Sequence, residues 1–147
     1  MGVACRVVGK WAFAAVVAAI LILLFTGNLL SRSPVVIVLQ VAALAVAAWA
    51  RRSFPPATFS VTAEPRGGAV IEKGPYRWVR HPQYSAVLIL IWAGVLSHLS
   101  ALSLAVGVVV AVVASLRIVC EERQLVETLP GYADYARRTR RLIPFVI

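Results

Sequence analysis

Four apolar runs govern what this chain can fold into. Residues 11–30, 34–50 and 82–97 carry no charged side chain, and residues 100–117 carry none before Arg117. Crossing a hydrocarbon core about 30 Å thick takes roughly 20 helical residues at about 1.5 Å each, so each run is near span length. The last two runs meet at Ser97-His98-Leu99-Ser100. One helix through both would far exceed a bilayer, which favours a helical hairpin turning there. With 61% hydrophobic and only 14% charged residues, and a mean hydropathy of +0.85, the chain is too oily to keep a water-facing shell. The expected fold is therefore all-α, a single integral membrane helical bundle over residues 1–147. It has about four transmembrane helices, a cytoplasmic loop and a C-terminal interfacial helix. No room remains for a soluble α/β cofactor domain.

Charge placement gives the topology. Arg51, Arg52, Arg66, Lys73, Arg77 and Arg80 follow the second run, Arg123, Arg137, Arg138, Arg140 and Arg141 follow the fourth, and only Arg32 follows the first. The positive-inside rule then puts both termini and the middle loop on the cytoplasmic side of a multi-pass protein. A net charge of +9 can also signal nucleic acid, but these residues surround apolar spans instead of lining one soluble face, so no nucleic-acid partner is expected. Cys5 and Cys120 make neither a disulfide framework nor a metal set, and no metal is expected. The start MGVACR places Arg6 where a myristoylation signal wants Ser or Thr, which argues against lipidation.

Chemistry can reside in two places. Residues 51–84 are broken by Pro55-Pro56, Pro65, Gly67-Gly68, Gly74-Pro75 and Pro82, a pattern that reads as a shaped loop. It ends in GPYRWVRHPQY, where Arg77, Arg80 and His81 mix with Tyr76, Trp78 and Tyr84. Taken by composition, this is a set of interfacial aromatic anchors and snorkelling arginines, as are Trp78 and Trp92 individually. The second place is the run Arg117-Ile118-Val119-Cys120-Glu121-Glu122. A spacing of four puts Arg117 and Glu121 on one helix face, where an exposed pair contributes only about 0.2–0.5 kcal/mol. Both emerge from an apolar span, however, and ionisable groups at membrane depth are costly unless they serve a polar site. An antiparallel hairpin brings the start of the third run beside the end of the fourth, so His81, Tyr84, Arg117 and Glu121 can converge. Beyond Pro130-Gly131, Tyr132 and Tyr135 lie on a short helix that reads as an interfacial anchor and can also close the site. His98 reads as a turn residue.

GPYRWVRHPQY, then Arg117 to Glu122, then LPGYADY and Pro144, together resemble the isoprenylcysteine carboxyl methyltransferase and phospholipid methyltransferase superfamily over residues 68–147. The resemblance implies an S-adenosyl-L-methionine site without a Rossmann fold, built from the loop and the cytoplasmic ends of the hairpin. It assigns cofactor contacts to Gly68, Ala69, Val70, Ile71, Tyr76, His81, Pro82, Gln83, Tyr84 and Glu121. Arg117 falls at a substrate-binding position, and Arg117 with Glu121 forms the catalytic pair. The partners implied are the lipid bilayer and a lipophilic acceptor. That acceptor is a prenylcysteine carboxylate, a phospholipid amine or a thiol. Competing readings are a sterol-type membrane reductase using NADPH and a non-enzymatic membrane scaffold. Ala42, Ala45 and Ala48 permit close helix contacts, but the oligomeric state stays open.

Overall fold

The computed structural model describes residues 3–54 and 70–143, with side chains from Trp11 onward. Its helices are α1 (Val3–Phe25), α2 (Pro34–Arg52), α3 (Pro82–Ser97), α4 (Ala101–Thr128) and α5 (Tyr132–Arg138), with a single 3-10 turn at Gly74–Arg77. No strand occurs among the described residues. One isolated parallel bridge joins Val79 to Arg140.

Local chemistry sets the helix ends. Pro34 and Pro82 occupy first-turn positions of α2 and α3, where a missing N–H costs nothing. α4 opens with a reciprocal serine cap. The Ser103 amide donates to Ser100 Oγ at 3.1 Å and the Ser100 amide to Ser103 Oγ at 2.9 Å. This cap makes the tight turn after Ser97, with His98 capping α3, so the expected hairpin forms. The first run departs from expectation. α1 stops at Phe25 instead of reaching residue 30, because Gly27 takes φ +70° and the amides of Asn28 and Leu29 fold back onto the Leu23 carbonyl. At the other end α4 continues past Arg117 to Thr128, so the Arg117–Glu122 run is helical as its spacing suggests.

Two helices, α2 and α4, are long and apolar enough to cross a membrane, and the shorter stretches Trp11–Phe25 and Pro82–Ser97 are also apolar. Only 17% of the apolar window of α2 and 28% of that of α4 is buried, whereas the core helix of a soluble protein is mostly covered. Their outward residues include Val35, Val38, Val41, Leu44, Leu104, Val109 and Val112, a surface suited to lipid and not to water. α2 packs on α3, α1 on α4, and α3 on α4. The core gathers Ala19, Leu23, Leu29, Ile91, Val95 and Val110. Among lipid chains such contacts gain mainly through close packing, which small residues allow. Gly107 lets α4 approach α3, since a methyl there would sit 3.3 Å from Val95 Cγ2. Gln40, buried on α2, donates from Nε2 to the Leu29 carbonyl at 2.7 Å and ties the α1–α2 connection to the bundle.

α5 packs against the rest of the protein. Tyr132 and Tyr135 are buried against the protein, while Ala133, Asp134, Arg137 and Arg138 form its exposed face. One expectation needs correction: Cys120 is disulfide-bonded, where no disulfide was expected.

Candidate active site

The hairpin brings the start of α3 and the last turns of α4 to the same end of the bundle. α4 has 28 residues, so at about 1.5 Å per residue it outruns a hydrocarbon core of about 30 Å by two turns or more. Those turns carry Glu121, Glu122 and Gln124. The end of α2 reaches the same region. Trp49 meets Trp78 with ring centroids 6.2 Å apart, and Phe54 meets Tyr76 edge-on at 5.1 Å. Gly74 takes φ +59° in the 3-10 turn, and a side chain there would collide with Ser53 Oγ. Tyr76 is thereby seated at the foot of α2.

Four residues expected to converge do so. The Tyr84 hydroxyl donates to Glu121 Oε1 at 2.6 Å, and Arg117 Nε donates to the same oxygen at 2.9 Å. The Arg117 guanidinium lies 5.9 Å from the Tyr84 ring centroid, within cation–π range. His81 packs edge-on to Tyr84 at 5.6 Å, with Nδ1 3.8 Å from Glu121 Oε2. Pro82 is buried and Gln83 half-buried in the same first turn of α3. Val70 and Ile71 are half-buried. Gly68, Ala69 and Pro144 lie outside the described residues.

Glu122, adjacent to Glu121, belongs to a different network. Its Oε1 accepts from Arg80 Nε at 2.8 Å and lies 3.4 Å from His81 Nε2. Its Oε2 accepts from Arg141 Nε at 2.9 Å. Arg80 also donates through Nη1 to the carbonyl oxygens of Ala136 and Thr139. The chain after α5 runs beside the segment before α3. The Arg80 amide donates to the Arg140 carbonyl at 2.7 Å, the Arg140 amide to the Trp78 carbonyl at 2.9 Å, and the His81 amide to the Arg141 carbonyl at 3.0 Å. Tyr135 Oη donates to the Tyr76 carbonyl at 2.8 Å, and Arg138 pairs with Glu72 at 3.2 Å. Sequence reasoning missed this network. Its partners lie from 19 to 66 positions apart and include backbone carbonyls, which have no residue signature.

Burial shapes the electrostatics of the tyrosines outside the apolar helices. Loss of hydration pushes the Tyr76 and Tyr132 hydroxyls well above the ordinary phenol range, reinforced by Tyr135 at Tyr76 and by Glu122 at Tyr132. Tyr135 is pushed up to about 12 by burial, with the Arg80 charge opposing part of the shift. All three are neutral hydrogen-bonding groups at physiological pH. Three buried polar atoms lack a hydrogen-bond partner among the described residues: His81 Nε2, Gln124 Oε1 and Tyr132 Oη. Gln124 follows Glu121 by three residues and so lies on its flank of α4. Leaving such an atom unsatisfied costs about 1–3 kcal/mol, so each calls for a polar partner, and His81 Nε2 has the Glu122 carboxylate 3.4 Å away.

The geometry therefore provides a carboxylate backed by a phenol and a guanidinium, an imidazole beside it, and unsatisfied polar atoms, all at the charged end of an apolar hairpin. No group of three or more His, Cys, Asp or Glu side chains suited to a metal occurs among the described residues. Comparison with known sequences adds an independent line. A search of curated proteins found no match. The family model described as the isoprenylcysteine carboxyl methyltransferase family matches residues 33–127, from the start of α2 to the end of α4. That segment is well over half of the 147 residues and contains His81, Tyr84, Arg117 and Glu121 together, so the chain belongs to the isoprenylcysteine carboxyl methyltransferase family.

Proposed function

We propose that the protein is an integral membrane methyltransferase that moves a methyl group from S-adenosylmethionine to a lipophilic acceptor, with a prenylcysteine-like carboxylate favoured. The observation that carries this reading is the shared oxygen, Glu121 Oε1, on which Tyr84 and Arg117 converge. In this reading α1 to α4 all cross the bilayer, and the site opens on the cytoplasmic side. The basic residues at the site end support that orientation, whereas Arg32 is the only charged side chain between α1 and α2.

The residues suit the donor. S-adenosylmethionine carries a sulfonium, an ammonium, a carboxylate and a hydrogen-bonding adenosine, and when bound it supplies an electrophilic methyl group. Glu121 offers negative charge to its cationic part. Val70, Ile71 and Tyr76 offer apolar and aromatic surface suited to adenine, and His81 adds a buried imidazole beside Glu121. Gly68 and Ala69 belong to the same proposed set by resemblance.

In-line methyl transfer demands alignment and exclusion of water more than proton movement. Tyr84 and Arg117 fix the Glu121 carboxylate from two directions, so its position is set before a ligand arrives. Arg117 stands where the apolar part of α4 gives way to the charged turns and presents a permanently charged planar fork. That fork suits an acceptor carboxylate, which is already nucleophilic and needs no base. The acceptor reaches it from the lipid side, the donor from the water side.

The test is to supply radiolabelled S-adenosylmethionine to membranes with and without the protein and to identify the labelled lipophilic product. Base-labile label in a methyl ester is the expected result. Label in an amine or thioether would transfer the reading to another acceptor, and no protein-dependent label would remove it.

A further inference from the structure

The two neighbouring glutamates have separate partners. Glu121 meets Tyr84 and Arg117, whereas both oxygens of Glu122 are occupied by guanidinium groups from elsewhere in the chain. The Glu122 side chain is only 14% exposed and Arg80 only 10%, so the Arg80 pair lies largely out of water and is geometrically committed. Arg141 approaches from the exposed side at 51%. Between them, residues 139–142 lie along residues 78–81, held by three backbone hydrogen bonds and by Ser85 Oγ donating to the Leu142 carbonyl. The strap itself falls beyond residue 127, where the family match ends, while its anchors Trp78, Arg80, His81, Ser85 and Glu122 lie within the match.

We propose that Glu122 is a positioning residue: it latches the 139–142 strap onto the segment before α3 through Arg80 and Arg141, and thereby holds His81 and Tyr84 in place for the donor. This inference rests on the methyltransferase reading for its ligand, but the latch itself does not. A carboxylate held by two guanidiniums is a poor general base, because abstracting a proton would forfeit two charge-assisted bonds. Glu122 therefore acts through Arg80 and the strap, while Glu121 faces the ligand. Besides Glu122, the strap is held by the three backbone hydrogen bonds, the Ser85 contact and the bonds from Arg80 to the Ala136 and Thr139 carbonyls. The bridge is a single isolated pair, and an isolated pair of short extended segments does not hold itself together in water.

Hydrogen exchange on the full-length protein in detergent micelles reads the latch directly. The reporting amides are those of Arg80, His81 and Arg140, which donate across the strap, with amides inside α2 as the folded control. In Glu122→Gln they are expected to exchange at least tenfold faster while α2 is unchanged. The KM for S-adenosylmethionine should rise about tenfold or more, with kcat changing less than threefold. Arg141→Ala should give the same signature at smaller amplitude, and Arg141→Lys should recover part of it, since one cation on Oε2 suffices. If Glu122→Gln does not fold, the Arg141 pair carries the test alone. Unchanged strap exchange in a folded variant overturns the proposal. So does faster exchange with unaltered donor KM, or a loss confined to kcat, which would make Glu122 a chemical participant. If the wild-type protein binds no S-adenosylmethionine, the methyltransferase reading fails, and the exchange arm still decides whether Glu122 latches the strap.

Discussion

Tyr84 on α3 and Glu121 on α4 are joined by a hydrogen bond of 2.6 Å, from the phenol to Oε1. This contact links the two ends of the hairpin across 37 positions of sequence. It fixes the Glu121 carboxylate between Tyr84 and Arg117 and beside His81, because Arg117 holds the same oxygen from one helical turn away.

Replacing Glu121 with Gln keeps the size of the side chain and removes its charge. Charge-assisted hydrogen bonds are worth about 1.5–3 kcal/mol, so affinity for S-adenosylmethionine should fall roughly tenfold to a hundredfold. Isothermal titration calorimetry in micelles measures this. Wild-type affinity in Glu121→Gln would show that the carboxylate does not meet the donor.

Arg117 should separate from Glu121 in its effects. Tyr84 continues to orient Glu121 when Arg117 is absent, so Arg117→Ala is expected to keep donor affinity within about fivefold and to lower kcat/KM for a carboxylate acceptor by at least about a hundredfold. Arg117→Lys should recover little, since an ammonium cannot reproduce the planar fork. A turnover assay paired with calorimetry distinguishes the two residues, and equal loss of binding in both variants would merge their roles.

The hairpin was legible because its signals are local. An apolar run opened by Pro82, a serine-rich break and a second apolar run specify α3, the turn and α4 in order. Arg117 and Glu121 were legible as a pair because four residues make one helical turn. The end of α1 was not, since hydropathy continues through Leu29 and Leu30 while Gly27 stops the helix by backbone geometry. The inward turn of Tyr132 and Tyr135 was one of two readings the sequence left open. A tyrosine suits a lipid interface and a protein interior equally by composition, and for Tyr135 the bond to the Tyr76 carbonyl, 59 positions away, decides between them.

Gly94 marks where α3 passes beneath the α1–α2 connection. A methyl group there would collide with the Leu29 carbonyl oxygen and sit 2.9 Å from that of Asn28, both backbone atoms that cannot rotate away. The Leu29 carbonyl is also the acceptor for Gln40. Gly94→Ala should therefore lower the melting temperature in micelles through overpacking, at a cost of about 1–3 kcal/mol. Gln40→Leu should act in the same direction by leaving that carbonyl unsatisfied, and because the two changes share one acceptor the double variant should lose less than their sum. Full additivity would show that they act at separate places.

Tyr135 gives a pH signature. Its hydroxyl donates to the buried Tyr76 carbonyl, and burial pushes it up to about 12 from an ordinary value of about 10. The folded protein thus holds the proton more tightly than the unfolded chain. The stabilisation is fully present below about pH 10 and disappears as pH rises toward 12, each pH unit costing up to about 1.4 kcal/mol for this one proton. Tyr135→Phe removes both the hydrogen bond and the titration. Thermal unfolding in micelles should show the variant less stable by about 1–2 kcal/mol at pH 8, with a shallower decline between pH 10 and pH 12 than the wild type. Parallel alkaline declines in the two proteins would mean that Tyr135 is not the group whose proton the docked α5 retains.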